Sequence, residues 1–196
     1  LEDIGPPRKD PIWRFEDAPT PITSFRIGTN GITYHQIVTA LPKLTTEETS
    51  LLPLYNGLIG EIGSNSRGYE QTQLIQQALT GGIHGFLSAR ACGEDFNKYS
   101  AYCFLSSKTM PEKVEAMFTL MKETALKPNF EEGRRIRDLI KEFRVRRDAS
   151  ITGNGHMLAA GAAAASLHPI TSMSYKLSGL GSIFNFSLTN RAIVWE

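Results

Sequence analysis

Cysteine is scarce. Cys92 and Cys103 are the two thiols in 196 residues, too few for a disulfide framework, so a reducing compartment is the expectation. Long hydrophobic runs are missing as well. The longest, Met157 to Leu167, is an alanine-rich stretch, well short of the roughly 18 apolar residues a membrane span needs. Charge of one sign is also lacking: the formal net charge is +1, and no global field argues for nucleic acid or an anionic membrane surface. Several chemistries lose their motifs. There is no Gly-x-Ser-x-Gly elbow for a nucleophilic serine and no Gly-x-x-x-x-Gly-Lys-Ser/Thr phosphate loop. His35, His84, His156 and His168 include no pair at the i, i+4 spacing that sets two imidazoles on one helix face, with or without a Glu between. No catalytic, cofactor-binding or metal-ligating residue is therefore expected in this chain. Cys92 and Cys103 fall out of register in their expected hairpin and read as small apolar residues. An initiator Met and a signal peptide are absent too, so the expectation is an excerpt of a longer polypeptide.

What is present is an ordinary globular pattern, 41% hydrophobic and 21% charged, with clear element signals. Leu1 to Pro19 carries Pro6, Pro7, Pro11 and Pro19 and reads as an extended linker. Asn30-Gly31 between Pro21–Ile27 and Ile32–Ala40 predicts a hairpin. Thr45-Thr46-Glu47-Glu48 is a capping box opening a helix with Leu51, Leu54, Tyr55, Leu58, Ile59 and Ile62 at helical spacing. Pro53 is expected in or near its first turns. A second helix covers Tyr69 to Leu79 and stops at Gly81-Gly82. Strands follow at Ile83–Cys92 and Tyr99–Ser106. Pro111 opens a helix whose apolar face is Val114, Met117, Phe118, Met121 and Ala125. A further helix, Phe130 to about Ala149, buries Ile136, Leu139, Ile140 and Phe143. A small-residue helix from His156 to Leu167 offers close packing or simple core, and Pro169 ends it. Residues from Ser172 on are poorly patterned, and Ile183 to Trp195 reads as strand-like. Runs of strands alternating with runs of helices predict an α+β fold: an antiparallel sheet with helices on one face.

The one charged feature is the Phe130–Ala149 helix. Arg134, Arg135, Arg137, Lys141, Arg144, Arg146 and Arg147 alternate there with Glu131, Glu132, Asp138, Glu142 and Asp148. Such mixing describes a solvated, ion-paired face and argues against nucleic acid. Arg144, Arg146 and Arg147 remain as a candidate basic wall toward an acidic partner or peptide.

The ordered succession of these signals resembles one homologous domain of the M16 (pitrilysin/insulinase) zinc metallopeptidases. It comprises an amphipathic helix, Gly63-Ser64 to Tyr69, a helix, Gly81-Gly82, a strand pair, a helix and a Phe-Glu-Glu-led helix. Leu1-Glu2-Asp3-Ile4 with Thr29-Asn30-Gly31-Ile32 looks like the presequence-protease branch, subfamily C of M16. Leu51-Leu52-Pro53-Leu54 followed by Thr80-Gly81-Gly82 resembles the third, non-catalytic domain of its four. The similarity covers Leu1 to Gly181. It implies a leader over 1–19, an M16-like α+β domain over 20–181 and an unassigned tail over 182–196. In that family's catalytic domain an inverted motif, His-x-x-Glu-His, holds zinc on the helix before the equivalent Gly-Ser. The corresponding positions here are Leu54, Gly57 and Leu58, and the third ligand's position falls at Leu139 or Ile140; none can ligate.

The resemblance thus implies a chamber-forming, substrate-enclosing domain of a zinc metalloendopeptidase that degrades short or unfolded peptides. The alternative is a peptidase-derived assembly module without activity. Zinc would belong to the parent's catalytic domain, and the partners would be the other M16-like domains and the enclosed peptide. A docking face left exposed in the excerpt implies self-association. The bacterial cytoplasm is the expected compartment, with the mitochondrial matrix or plastid as the alternative.

Overall fold

The computed structural model describes residues 12–15, 20–25, 27–92 and 95–184. In chain order the strands are β1 Ile12–Phe15, β2 Ile22–Phe25, β3 Thr33–Ala40, β4 Gly63–Ser64, β5 Ile83–Cys92, β6 Asp95–Thr109 and β7 Pro128–Asn129. The helices are α1 Thr46–Leu58, α2 Tyr69–Leu79, α3 Val114–Leu126, α4 Gly133–Gly153, α5 Gly155–Ala164 and α6 Pro169–Ser178. A three-stranded antiparallel sheet in the order β3-β6-β5 is the frame. Helices α1, α3 and α6 pack against it, α4 stacks on α1, and α5 joins α4 to α6. The architecture is α+β, as the element order predicts.

Strand alternation explains the core. Ile83 and Leu105 point to the covered face and meet Ile59 of the segment after α1 and Met117, Leu120 and Met121 of α3 in one buried cluster. Gly85 lets α1 approach this face closely: a Cβ there would lie 2.8 Å from the Asn56 carbonyl oxygen. Helix α3 is rotated from its expected face, because Leu120 is 2% exposed and Phe118 43%. Phe118 sits beside His35 of the edge strand, and Leu120 takes the place over the sheet.

The Asn30-Gly31 signal is half right. Both residues have positive φ, 51° and 75°, and the Ile32 N–H donates to the Thr29 carbonyl at 3.1 Å, so the chain turns there. The expected hairpin of Pro21–Ile27 with Ile32–Ala40 does not form. β2 pairs with β1, from Ile12↔Phe25 to Phe15↔Ile22, and β3 pairs with β6, from Thr33↔Thr109 to Ala40↔Tyr102. The alliance with β6 puts β3 into a sheet with a core face, which an isolated two-stranded ribbon lacks.

Other boundaries also move. β6 begins at Asp95 and runs to Thr109, absorbing much of the loop expected over Gly93–Lys98 and three residues beyond Ser106. Pro53 lies inside α1 and is buried, beyond its first turn. Helix α5 has no buried residue, so its alanines are not core. Residues 180–184 are helical and Ile183 is 6% exposed, against the strand-like pattern of that stretch; the rest of the tail lies outside the described residues.

The capping box is built as read. Thr45 Oγ1 accepts from the Glu48 N–H at 3.2 Å, while Glu48 accepts from the Thr45 N–H at 2.8 Å. Thr45→Ala is expected to lower stability by about 1 kcal/mol without altering the far-ultraviolet circular dichroism spectrum. An unchanged urea midpoint would show that the cap contributes nothing.

Candidate functional site

The positions that the resemblance sets against the family's zinc ligands come together, and they are hydrocarbon. Leu54 and Leu58 of α1 pack with Ile62, with Leu139 and with Ile136 and Phe143 of α4. Leu58 is 5% exposed, Ile62 1% and Leu139 1%. Gly57 lies directly under the Phe143 ring, where a Cβ would come within 2.9 Å of Cε2. Ile140, the neighbouring position, is also buried. No side-chain atom in this contact offers a lone pair, and a divalent ion placed in it would lose its hydration without compensation. The residues present do not fit a zinc ion. Among the described residues no group of three His, Cys, Asp or Glu side chains converges elsewhere.

Beside this cluster lies a polar interlock that links two of the sequence motifs. The Glu132 carboxylate accepts from the Tyr69 N–H at 2.9 and 3.1 Å, placing an anion on the N-terminus of α2, where the helix dipole favours it. Arg135 stacks over the Tyr69 ring at 4.5 Å and reaches the Glu61 carboxylate at 3.4 Å. Arg67 pairs with Glu123 of α3 and donates to Ser64 Oγ at 3.3 Å. Gly63 and Ser64 pair with Asn129 and Pro128. A side chain at Gly63 has no room, since its Cβ would lie 2.3 Å from the Arg67 carbonyl oxygen. The Gly-Ser segment and the Phe-Glu-Glu lead, separate signals in the sequence, are the two halves of one joint.

The three arginines of the candidate wall are not gathered on one surface. Arg144 faces Asp148 at 3.7 Å and is largely exposed. Arg146 pairs with Glu142 and lies 5.9 Å from the Phe143 ring centre. Arg147 turns inward and donates to Ser182 Oγ. It borders a cleft of about 500 Å³ whose walls include Ser150, Asn154, Asn56, Phe86 and Leu177. Burial lowers the Arg147 pKa, although a guanidinium keeps its charge at neutral pH. Arg144 and Arg146 pair with acids of their own helix, whereas Arg147 is the one of the three that borders the cleft.

A family model described as peptidase M16, subfamily C, associated matches residues 1–187. The chain belongs to that family. This domain is 28% identical over 178 residues to a mitochondrial presequence protease of Emericella nidulans, covering 89% of the chain and 16% of the relative. It is 26% identical over 155 residues to the mitochondrial presequence protease of Danio rerio, covering 79% and 15%. It is 26% identical over 153 residues to presequence protease 1, chloroplastic/mitochondrial, of Arabidopsis thaliana, covering 78% and 14%. The domain spans 14–16% of the length of these relatives, which therefore contain much more chain than this. No helix among the described residues is long and apolar enough to cross a membrane.

Two titratable groups of the sheet are held neutral. The Cys103 thiol, partly buried and within 3.2 Å of Asn56 Oδ1, has its pKa pushed up chiefly by burial, so it is a poor nucleophile. His35 lies 4.6 Å edge-on from Phe118, and burial lowers its pKa below 6.5. The folded state therefore binds fewer protons than the unfolded state once pH falls under 6.5, and stability declines as pH drops through that window to the folded pKa. Urea midpoints of the wild type are expected to fall between pH 7.5 and 5.5 more steeply than those of His35→Gln. Parallel slopes would remove His35 as the cause.

Proposed function

We propose that this chain is a non-catalytic, substrate-enclosing domain of a longer zinc metalloendopeptidase of the presequence-protease type, the third of four related domains. The observation that carries the proposal is the α1–α4 contact. At the positions aligned with a metal set, Leu54, Gly57, Leu58 and Leu139 build a dry hydrocarbon layer. Such a domain performs no proton transfer and polarises no carbonyl. It supplies a wall that excludes water and limits the size of peptide admitted, while another domain of the polypeptide holds zinc.

Its partners are the sibling M16-like domains and the enclosed short or unfolded peptide. Exposed apolar side chains within α4, within α5 and beyond α5, Val145 at 68%, Met157 at 65% and Leu167 at 70%, suit docking to a sibling and self-association of the excised chain. Arg147 is the member of the candidate basic wall best placed to meet a substrate carboxylate. The compartment follows the parent. The bacterial cytoplasm is the expectation from the sequence, while the names of the relatives favour the alternative of mitochondrion or plastid.

The test is direct. Purified chain analysed by inductively coupled plasma mass spectrometry is expected to contain far less than one equivalent of zinc, and to leave an unfolded fluorogenic peptide intact. Stoichiometric zinc together with chelator-sensitive hydrolysis would falsify the proposal.

A further inference from the structure

The dipeptide Asn-Gly occurs three times, at Asn30-Gly31, Asn56-Gly57 and Asn154-Gly155. This pair can modify itself. The glycine backbone nitrogen attacks the asparagine Cγ, ammonia leaves carrying the glycine amide proton, and a succinimide ring closes. Water then opens either ring carbonyl, giving aspartate or isoaspartate. Glycine favours the attack because no side chain shields its nitrogen and its backbone rotates freely. By sequence the three pairs are equal; the fold makes them unequal.

Asn56 is the most restrained. It lies inside α1 at 5% exposure, its Nδ2 donates to the Leu52 carbonyl at 3.0 Å, and its Oδ1 accepts from the Cys103 thiol at 3.2 Å. Gly57 is pinned beneath Phe143. Asn154 is exposed but is held through its backbone. Its N–H donates to the Ser150 carbonyl at 2.8 Å and its carbonyl accepts from the Leu158 N–H at 3.0 Å, so it closes α4 and opens α5 at once. Asn30 has neither kind of tie. It shares the tip of the turn with Gly31, both are exposed, and a Cβ on Gly31 would meet nothing within 4 Å. The Asn30 carboxamide and the Gly31 N–H, the two reacting groups, have no hydrogen bond among the described residues. One bond crosses the turn, from the Ile32 N–H to the Thr29 carbonyl. Releasing it is the smallest of the three local openings that the attack requires.

We propose that Asn30 is the self-modification site of the folded chain, converting to an aspartyl and isoaspartyl mixture while Asn154 is slow and Asn56 is inert. Each event consumes one water and releases one ammonia, and no oxidant or reductant takes part. The product sets a new carboxylate in the turn that leads into β3, which begins at Thr33. Its isoaspartyl form also routes the main chain through the side-chain carbon, adding a methylene that a two-residue turn has no geometry to absorb. The strand that receives this change is an edge of the sheet.

The experiment incubates the full 196-residue chain at mildly alkaline pH and physiological temperature for several weeks. Peptide mapping by mass spectrometry locates each conversion, and protein L-isoaspartyl methyltransferase counts isoaspartate. Synthetic peptides covering 26–35, 52–61 and 150–159 supply the rate of each pair without a fold. The three peptides are expected to react at similar rates. In the folded chain Asn30 should convert about tenfold faster than Asn154, which must release more backbone hydrogen bonds, and Asn56 should stay intact. Asn30→Gly keeps a residue suited to positive φ and should remove most of the isoaspartate; circular dichroism checks that this variant folds. Conversion led by Asn154 or Asn56, equal rates at the three pairs, or an Asn30 that persists in the chain while its peptide reacts would each overturn the assignment.

Discussion

The contact between α1 and α4 is the constraint on which the rest of the domain depends. Helix α1 has two jobs: its Asn56 side reaches the sheet at Cys103, and its Leu54 and Leu58 side receives α4. A helix committed on both sides must carry apolar or tightly satisfied groups at every inward position, which Leu58 at 5% and Asn56 at 5% exposure do. Gly57 belongs to the same arrangement, since the Phe143 ring occupies the space a side chain would need. Any polar or charged residue installed there would have to bring its own partners into a layer that has none. Hydrocarbon at these positions and the presence of a second helical layer are therefore one fact seen from two sides.

Much of this was legible because the signals were local. The capping box at Thr45 is decided by four consecutive residues, and α2 needs only a helical run before Gly81-Gly82. The hydrocarbon cluster was legible in composition, since Leu54, Leu58, Leu139 and Ile140 have no alternative chemistry, although only the fold shows them meeting. What could not be read were decisions made between distant segments. Asn30-Gly31 turns the chain, but whether β3 then pairs with β2 or with β6 depends on which alliance has a core to bury. Phe118 and Leu120 both suit a helix face near the sheet, and the choice between them rests on the position of His35 across the gap. The alanines of α5 look like core by composition. They are small enough to leave little penalty when exposed, and the helix stays on the outside.

The arginine helix shows the same division. Its interleaved acids predicted ion pairing, and Arg144 with Asp148 and Arg146 with Glu142 follow that pattern one helical turn apart. No sequence pattern marks Arg147 as the residue that turns inward, because its partner Ser182 comes from a segment with weak periodicity. Glu132 was hidden in a similar way. It reads as one more acid in a charged run, yet it holds the first turn of α2 from sixty-three positions away.

The register of β3 sets an order of events in folding. β5 and β6 are consecutive strands and can zip together early, since little chain entropy is lost in closing so short a connection. β3 must wait: its partner β6 arrives only after α1, α2 and β5 have been threaded between them, and contacts at such separation form late. As an outer strand tied on one side among the described residues, as β5 also is, β3 has a row of amides whose protons exchange at lower cost than those of the central β6. The first strand of the sheet in the chain thus joins it by closing a longer loop than the one between β5 and β6.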